Sequence, residues 1–179
     1  GKRVYLTCAV CHRPEGWGTQ DGGCPQIAGQ LSSVIIKQLA DIRSSNRDNP
    51  TMYPFSLPEV IGGPQALADV AAYIEKLPMN PNWGKGPWSA DTPEYAQGEE
   101  LYKDNCVRCH GPTGMGMPEK LYPRINGQHY NYMVRQFEWI RDGKRRNSNP
   151  DMVEQIKNFS DNDMQMVINF VSWQPVPKE

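Results

Sequence analysis

The sequence predicts an all-α protein built as two tandem copies of one helical module. Three observations predict it. The pentapeptide Cys106-Val107-Arg108-Cys109-His110 has an earlier echo in Cys8-Ala9-Val10-Cys11-His12, and the residues around the two copies align over almost the whole chain. Apolar residues downstream of each copy recur at helical spacing. No segment alternates apolar and polar residues with the period of two that a half-buried strand requires. The division follows: residues 1–78 form the first module, 79–93 a connector and 94–179 the second module.

Taken in order, each element has a counterpart. Gly1 and Tyr5 precede the first pentapeptide as Gly98 and Tyr102 precede the second. Cys24-Pro25-Gln26-Ile27-Ala28-Gly29-Gln30 answers Tyr122-Pro123-Arg124-Ile125-Asn126-Gly127-Gln128. The next segment carries Val34, Ile35, Leu39 and Ile42 in one copy and Tyr132, Met133, Phe137 and Ile140 in the other, so each is predicted to be a helix with one apolar face. Asn49-Pro50-Thr51-Met52 answers Asn149-Pro150-Asp151-Met152, and both are predicted to be loops. Each copy closes on a helix, Leu67, Val70, Ala71 and Ile74 matching Met164, Val167, Ile168 and Val171. Ser160 with Asp163 supplies a capping start, and Pro78 and Pro175 supply stops. Between the copies, residues 78–88 hold three prolines with Gly84 and Gly86, so no continuous helix fits there. Trp83 and Trp88 are expected to pack that connector onto a module.

The pentapeptides carry the chemistry. Two cysteines two residues apart, followed at once by histidine, are the spacing of c-type haem attachment. Two thiols on one helical turn reach the two vinyl groups of one porphyrin, and the adjoining histidine is delivered beneath the iron. The rivals are half of a zinc site, a redox dithiol and chance. Zinc would need further ligands near each motif, and only Cys24 and His129 are to spare. A redox dithiol wants a strand–helix context that is missing, and duplication argues against chance. Two covalently bound haem c groups are therefore expected, held by Cys8, Cys11, Cys106 and Cys109.

With His12 and His110 beneath the irons, His129 is the one histidine left, so two bis-histidine haems are excluded within this chain. Methionine is the other common sixth ligand. Eight are present, and most methionines are core filler. Met133 and Met164 fit that description, and Met115 and Met117 have no counterpart. Met52 and Met152 share one slot of the repeat, each after Asn-Pro, and are the candidate sixth ligands. His129 is expected to be an exposed loop residue at a helix start. Pro25 and Pro123 are candidates to offer a carbonyl to the second nitrogen of each proximal histidine. Arg43 and Arg141 are candidates for propionates, or else solvated helix ends. Cys24 reads as a small buried side chain, and the basic run from Arg141 to Arg146 as a solvated loop.

Composition bounds the rest. A hydrophobic fraction of 38% with 16 glycines and 16 prolines gives each half a small core, which a large bound cofactor would complete. Nineteen basic against 20 acidic residues, a formal charge of −1, exclude a strongly basic nucleic-acid surface. No apolar run in the sequence approaches a membrane span, and no secretory leader is expected in this form of the chain. The start at Gly1 reads as a mature or trimmed form. With four of five cysteines in the motifs, no disulfide framework is possible. Covalent haem attachment outside the cytoplasm makes a bacterial periplasmic protein the expectation.

The ordered combination of Gly-x-x-x-Tyr, CxxCH, Pro-x-Ile-x-Gly-Gln and Asn-Pro-x-Met, twice over, resembles the class I cytochromes c and specifically the dihaem cytochrome c4 family. That resemblance implies tandem class I cytochrome c domains related by pseudo-two-fold symmetry, with the haems near their interface. By position it implies His12 with Met52 and His110 with Met152 as ligand pairs. It also implies a crossing of terminal helices at Tyr5 and Tyr73 and again at Tyr102 and Phe170. Three features depart from the pattern: the short opening helix after Gly1, the uncapped segment Leu57 to Gly63, and Cys24. Closed, six-coordinate haems favour outer-sphere electron transfer over substrate chemistry. The expected function is a soluble electron carrier serving redox partner proteins such as a periplasmic dehydrogenase, an oxidase or a membrane complex. The alternatives are a cytochrome subunit of a larger sulfide- or thiosulfate-oxidising dehydrogenase, and a small dihaem oxidoreductase.

Overall fold

The computed structural model describes residues 1–177. Nine α-helices occur among them: α1 Lys2–His12, α2 Ser32–Arg43, α3 Pro58–Ile61, α4 Pro64–Glu75, α5 Pro93–Asn105, α6 Val107–His110, α7 Tyr130–Arg141, α8 Pro150–Ile156 and α9 Asp161–Ser172. The only β pairing among the described residues is an isolated bridge between Met117 and Tyr122. The protein is all-α, with helices α1–α4 in the first module and α5–α9 in the second.

Each module is built on a crossing of its first and last helices, and a glycine permits the close approach. A Cβ on Gly1 would lie 2.2 Å from the Asp69 carbonyl oxygen of α4, and one on Gly98 would lie 2.1 Å from the Met166 carbonyl oxygen of α9. Aromatic pairs lock both crossings: Tyr5–Tyr73 and Tyr102–Phe170 each have ring centroids 5.3 Å apart. Tyr5 and Tyr102 also donate their hydroxyls to the Arg13 and Gly111 carbonyls at 2.7 and 2.6 Å, fixing the chain just past each histidine.

The cores lie under these crossings. Tyr5, Ile35, Val70, Ala71 and Ile74 form the first. The second is larger and joins Tyr102, Met133, Phe137, Ile156, Met164, Val167, Ile168, Phe170 and Val171. Met133 and Met164 are core filler as expected, and a fully buried side chain such as Met164 stabilises by roughly 1.5–3 kcal/mol. Helix α9 starts on a capping box in which the Ser160 hydroxyl accepts from the Asp163 N–H and the Asp163 carboxylate accepts from the Ser160 N–H. Its counterpart α4 starts at Pro64 after Gly63, with no side-chain cap.

The connector is ordered. Trp83 is buried and donates Nε1–H to the Ser172 carbonyl at 2.6 Å. The Gly86 N–H donates to the Ser172 hydroxyl, and Trp88 exchanges two bonds with the Asn169 side chain. The 79–88 stretch is thereby fastened along α9. Its near end reaches the first module, where Asn80 N–H donates to Gln26 Oε1 and Trp17 Nε1–H to the Pro78 carbonyl.

Between the modules, contacts occur in pairs that exchange under a two-fold rotation. The Gln128 side chain spans the backbone of Gln26, accepting from its N–H (3.0 Å) and donating to its carbonyl (2.8 Å). Gln30 does the same to Arg124, at 3.0 and 2.8 Å. The Gln26 amide reaches the Gly127 carbonyl, and Arg124 reaches the equivalent Gly29 carbonyl. Arg47 and Arg145 each donate to both Gln38 Oε1 and Gln136 Oε1. This is pseudo-two-fold symmetry written in hydrogen bonds.

Two expectations fail here. His129, expected to be exposed, is fully buried at the head of α7: its Nδ1 accepts from the Gly84 N–H at 3.0 Å and its Nε2 donates to the Trp17 carbonyl at 2.7 Å. It ties both modules to the connector, which its loop-like sequence setting conceals. The basic run is not simply solvated, because Arg145 and Arg146 reach across to Gln38 and the Ser45 carbonyl. Burial and the neighbouring Arg47 charge push the Arg145 pKa down to about 10.

Candidate functional site

Each CxxCH copy sits at the end of its module's opening helix. In the first, α1 runs straight through Cys8, Cys11 and His12. In the second, the helix breaks at Cys106, and Val107–His110 form a separate turn. Both place the histidine inside the module: His12 is 6% exposed and His110 8%.

The histidines are oriented alike. His12 Nδ1 lies 3.0 Å from the Pro25 carbonyl, and His110 Nδ1 lies 3.1 Å from the Pro123 carbonyl. A carbonyl only accepts, so Nδ1 carries the proton in both rings and Nε2 is left with its lone pair. Burial lowers the pKa of both rings, opposed in each case by the proline carbonyl. A neutral imidazole with a fixed tautomer and a free Nε2 is the form that binds a metal.

In the first module this histidine faces an apolar cleft of about 520 Å³, partly open to solvent. Cys8, Cys11, His12 and Met52 line it together, along with Leu39, Phe55, Ile61, Val70 and Ile74. In the second module Cys106 and Met152 pack against the same core cluster. Burial pushes the Cys8 thiol up and, with Cys109 adding, carries the Cys106 thiol to about 12. A redox dithiol needs the opposite, a depressed thiol. Neutral thiols beside a metal-ready imidazole, on an apolar wall, fit a covalently attached porphyrin.

The two Asn-Pro-x-Met segments differ. Asn149 caps the Asp151 N–H, Pro150 takes the first helical position, and Met152 lies within helix α8. In the first module Asn49 likewise accepts from the Met52 N–H, but Pro54 diverts the chain into a 3₁₀ turn at Pro54–Ser56 and Met52 stays in a turn. The expected loop is thus correct for Met52 and becomes a short helix for Met152, because nothing like Pro54 follows it.

Other candidates resolve. Arg141 pairs with Asp161 at 2.8 Å and joins the end of α7 to the start of α9, while Arg43 is exposed. Cys24 is partly buried beside Cys11, and burial, then Cys11, raises its thiol pKa. Tyr122, its counterpart, has the same relation to Cys109. The crossed glutamines escaped the sequence reading, although Gln30 and Gln128 both stood in the repeated Pro-x-Ile-x-Gly-Gln motif.

Comparison with known proteins matches residues 1–78 to the family model for cytochrome c and residues 93–171 to that for cytochrome c oxidase, cbb3-type, subunit III. Cytochrome c4 of Azotobacter vinelandii is 30% identical over 167 residues, covering 86% of this chain and 76% of that one. The chain belongs to the dihaem cytochrome c4 family. A thiosulfate dehydrogenase electron acceptor of Stutzerimonas stutzeri (strain A1501) is also 30% identical, over 95% of this chain and 84% of its own. The crystal structure of reduced recombinant cytochrome c4 from Pseudomonas stutzeri superposes with a TM-score of 0.79 at 25% identity, covering 97% of this chain and 96% of that one. As a member of this family the chain carries two covalently bound haem c groups and transfers electrons. No helix among the described residues is long and apolar enough to cross a membrane.

Proposed function

We propose that the protein is a periplasmic electron carrier whose haems are attached at Cys8 and Cys11 and at Cys106 and Cys109. His12 with Met52, and His110 with Met152, ligate the two irons, and the domains divide at 1–78, 79–93 and 94–179. The observation that carries this reading is the convergence of both thiols, an oriented neutral His12 and Met52 on one apolar cleft. Each haem supplies a one-electron Fe(III)/Fe(II) couple. The chain's own residues do the rest. Pro25 and Pro123 hold the proton on Nδ1, leaving each Nε2 with the lone pair that would bind the iron. Leu39, Ile61, Val70 and Ile74 keep water from the first site, and the Met52 thioether on the same cleft would serve as a second protein ligand to the iron.

The test is a spectroscopic redox titration of the intact protein. Two haems per chain and a weak far-red sulfur-to-iron band in the oxidised form are expected. Loss of that band is expected in part for Met52→Ala or Met152→Ala and wholly for the double variant. Ready carbon monoxide binding by the reduced wild type would overturn the closed-carrier reading.

Partners are proposed to be redox enzymes of a respiratory or oxidative pathway. The likeness to a thiosulfate dehydrogenase electron acceptor favours a dehydrogenase as donor, and it also supports a second reading, a stable subunit of such a complex. Leu6 and Val10, 65% and 80% exposed on the helix bearing Cys8 and Cys11, give a partner apolar surface beside the first site. Purification at native expression with mass measurement separates the two: a free carrier elutes at its own mass.

A further inference from the structure

The peptide unit behind each proximal histidine is held from the other module. The Pro25 carbonyl accepts from His12 Nδ1–H, while the N–H of that same peptide, on Gln26, donates to Gln128 Oε1 at 3.0 Å. In the mirror relation, the Pro123 carbonyl accepts from His110, and the Arg124 N–H donates to Gln30 Oε1 at 3.0 Å. Each glutamine amide is itself fixed at three points. Gln128 also donates to the Gln26 carbonyl and accepts from the His129 N–H; Gln30 donates to the Arg124 carbonyl and accepts from the Leu31 N–H. Gln26 and Gln128 are buried, so water does not readily replace the bonds between them, while Gln30 and Arg124 are half-buried.

We propose that Gln30 and Gln128 are crossed positioning residues: each sets the strength of the hydrogen bond behind the other module's histidine, and through it the redox balance of the other module's haem. This rests on reading His12 and His110 as iron ligands. A peptide N–H engaged by an acceptor polarises its own carbonyl, because hydrogen bonds in a chain reinforce one another. A better acceptor behind Nδ1–H makes the imidazole a stronger donor to iron and favours the ferric state. Removing Gln30 weakens the Pro123 carbonyl, makes His110 a poorer donor and raises the potential of the second haem. Removing Gln128 does the same to the first.

The test is a redox titration of the holoprotein in which the two haems are read separately by the hyperfine-shifted NMR resonances of their methionine methyls. Met52→His assigns the sets, since it displaces only the first module's. Gln30→Leu is expected to raise the second haem's potential by roughly two- to three-fold in the ferric-to-ferrous ratio, about 20–30 mV where tenfold is 59 mV for one electron, and to leave the first haem in place. Gln128→Leu is expected to do the reverse. Gln30→Asn, one methylene too short for the Arg124 amide, gives the same crossed shift if leucine prevents haem loading. A shift of the variant's own haem, equal shifts of both, or none overturns the proposal, and a loosened interface without crossing gives one of these. Failure of the Met52 ligand reading looks different: Met52→His would leave both methyl sets unmoved whatever the glutamine variants do, whereas the inference itself stands or falls with the crossed shifts.

Discussion

Gly98→Ala isolates the helix crossing that supports the second module. Considered as a helix residue, Gly98 is a weak point, and alanine would improve α5 by about 1 kcal/mol. Packing works in the opposite direction. The new methyl would lie 2.1 Å from the Met166 carbonyl oxygen, 2.7 Å from its carbon and 3.2 Å from Phe170 Cβ. Two of these atoms are backbone, so no rotamer change relieves them, and α5 must lift from α9 by about 1 Å or more to reach van der Waals separation. Lifting strains the Tyr102–Phe170 and Tyr95–Phe170 contacts, both with centroids 5.3 Å apart. Overpacking of this kind costs about 3 kcal/mol at its upper range, leaving about 2 kcal/mol net destabilisation. For a module of this size that lowers the melting temperature by about 8–16 °C. Thermal unfolding of the holoprotein by circular dichroism measures it. Ala96→Gly, at an exposed position of the same helix, reports the propensity term alone. Should Gly98→Ala melt at or above the wild type, the steric reasoning is wrong.

Three further outcomes are expected. Tyr102→Phe removes the 2.6 Å bond to the Gly111 carbonyl and destabilises the second module by about 1 kcal/mol, read as a lower denaturant midpoint with unchanged slope. Ser160→Ala removes the capping box and costs about 1 kcal/mol, with faster amide exchange confined to the first turn of α9. His129 is held neutral chiefly by burial, with Asp21 favouring and Arg13 opposing its protonation, so its folded pKa lies below the ordinary imidazole value. The unfolded chain then takes up the proton first as pH falls. Stability from this site is complete above about pH 6.5 and declines as pH drops through the lowered folded pKa. His129→Leu, matching Leu31 of the first module, is expected to melt lower at pH 7 yet lose less between pH 7 and 5 than the wild type does.

The fold was legible because its two signals were local and repeated. CxxCH fixes the end of an opening helix, and the apolar spacing at Val34 to Ile42 and Tyr132 to Ile140 gives α2 and α7 directly. The proline carbonyls behind His12 and His110 followed from position alone. What stayed hidden was long-range and polar. His129 reads as a loop residue until Trp17 and Gly84 are brought against it, residues far from it in sequence. Arg145 reads as solvated until the first module docks and Gln38 meets it. The helical state of Met152 turned on a single downstream difference, Pro54 in the other copy. Polar residues carry no periodicity that announces a partner, so an interface built from glutamines and arginines leaves little trace in a hydrophobic pattern.

The exchange of Gln30 with Arg124 and of Gln128 with Gln26 is the geometry of an isologous dimer, the same patch meeting itself about a two-fold axis. Here both patches belong to one chain. Dilution that would separate a dimer of free modules leaves this pair together, because the fastened connector keeps each half at a high effective concentration for the other. Fusion also changes how substitutions are felt. In a true dimer every replacement at the seam is made twice, once on each side of the axis. In this chain it is made once, which is why the Gly29 carbonyl can be met by an arginine and the equivalent Gly127 carbonyl by a glutamine.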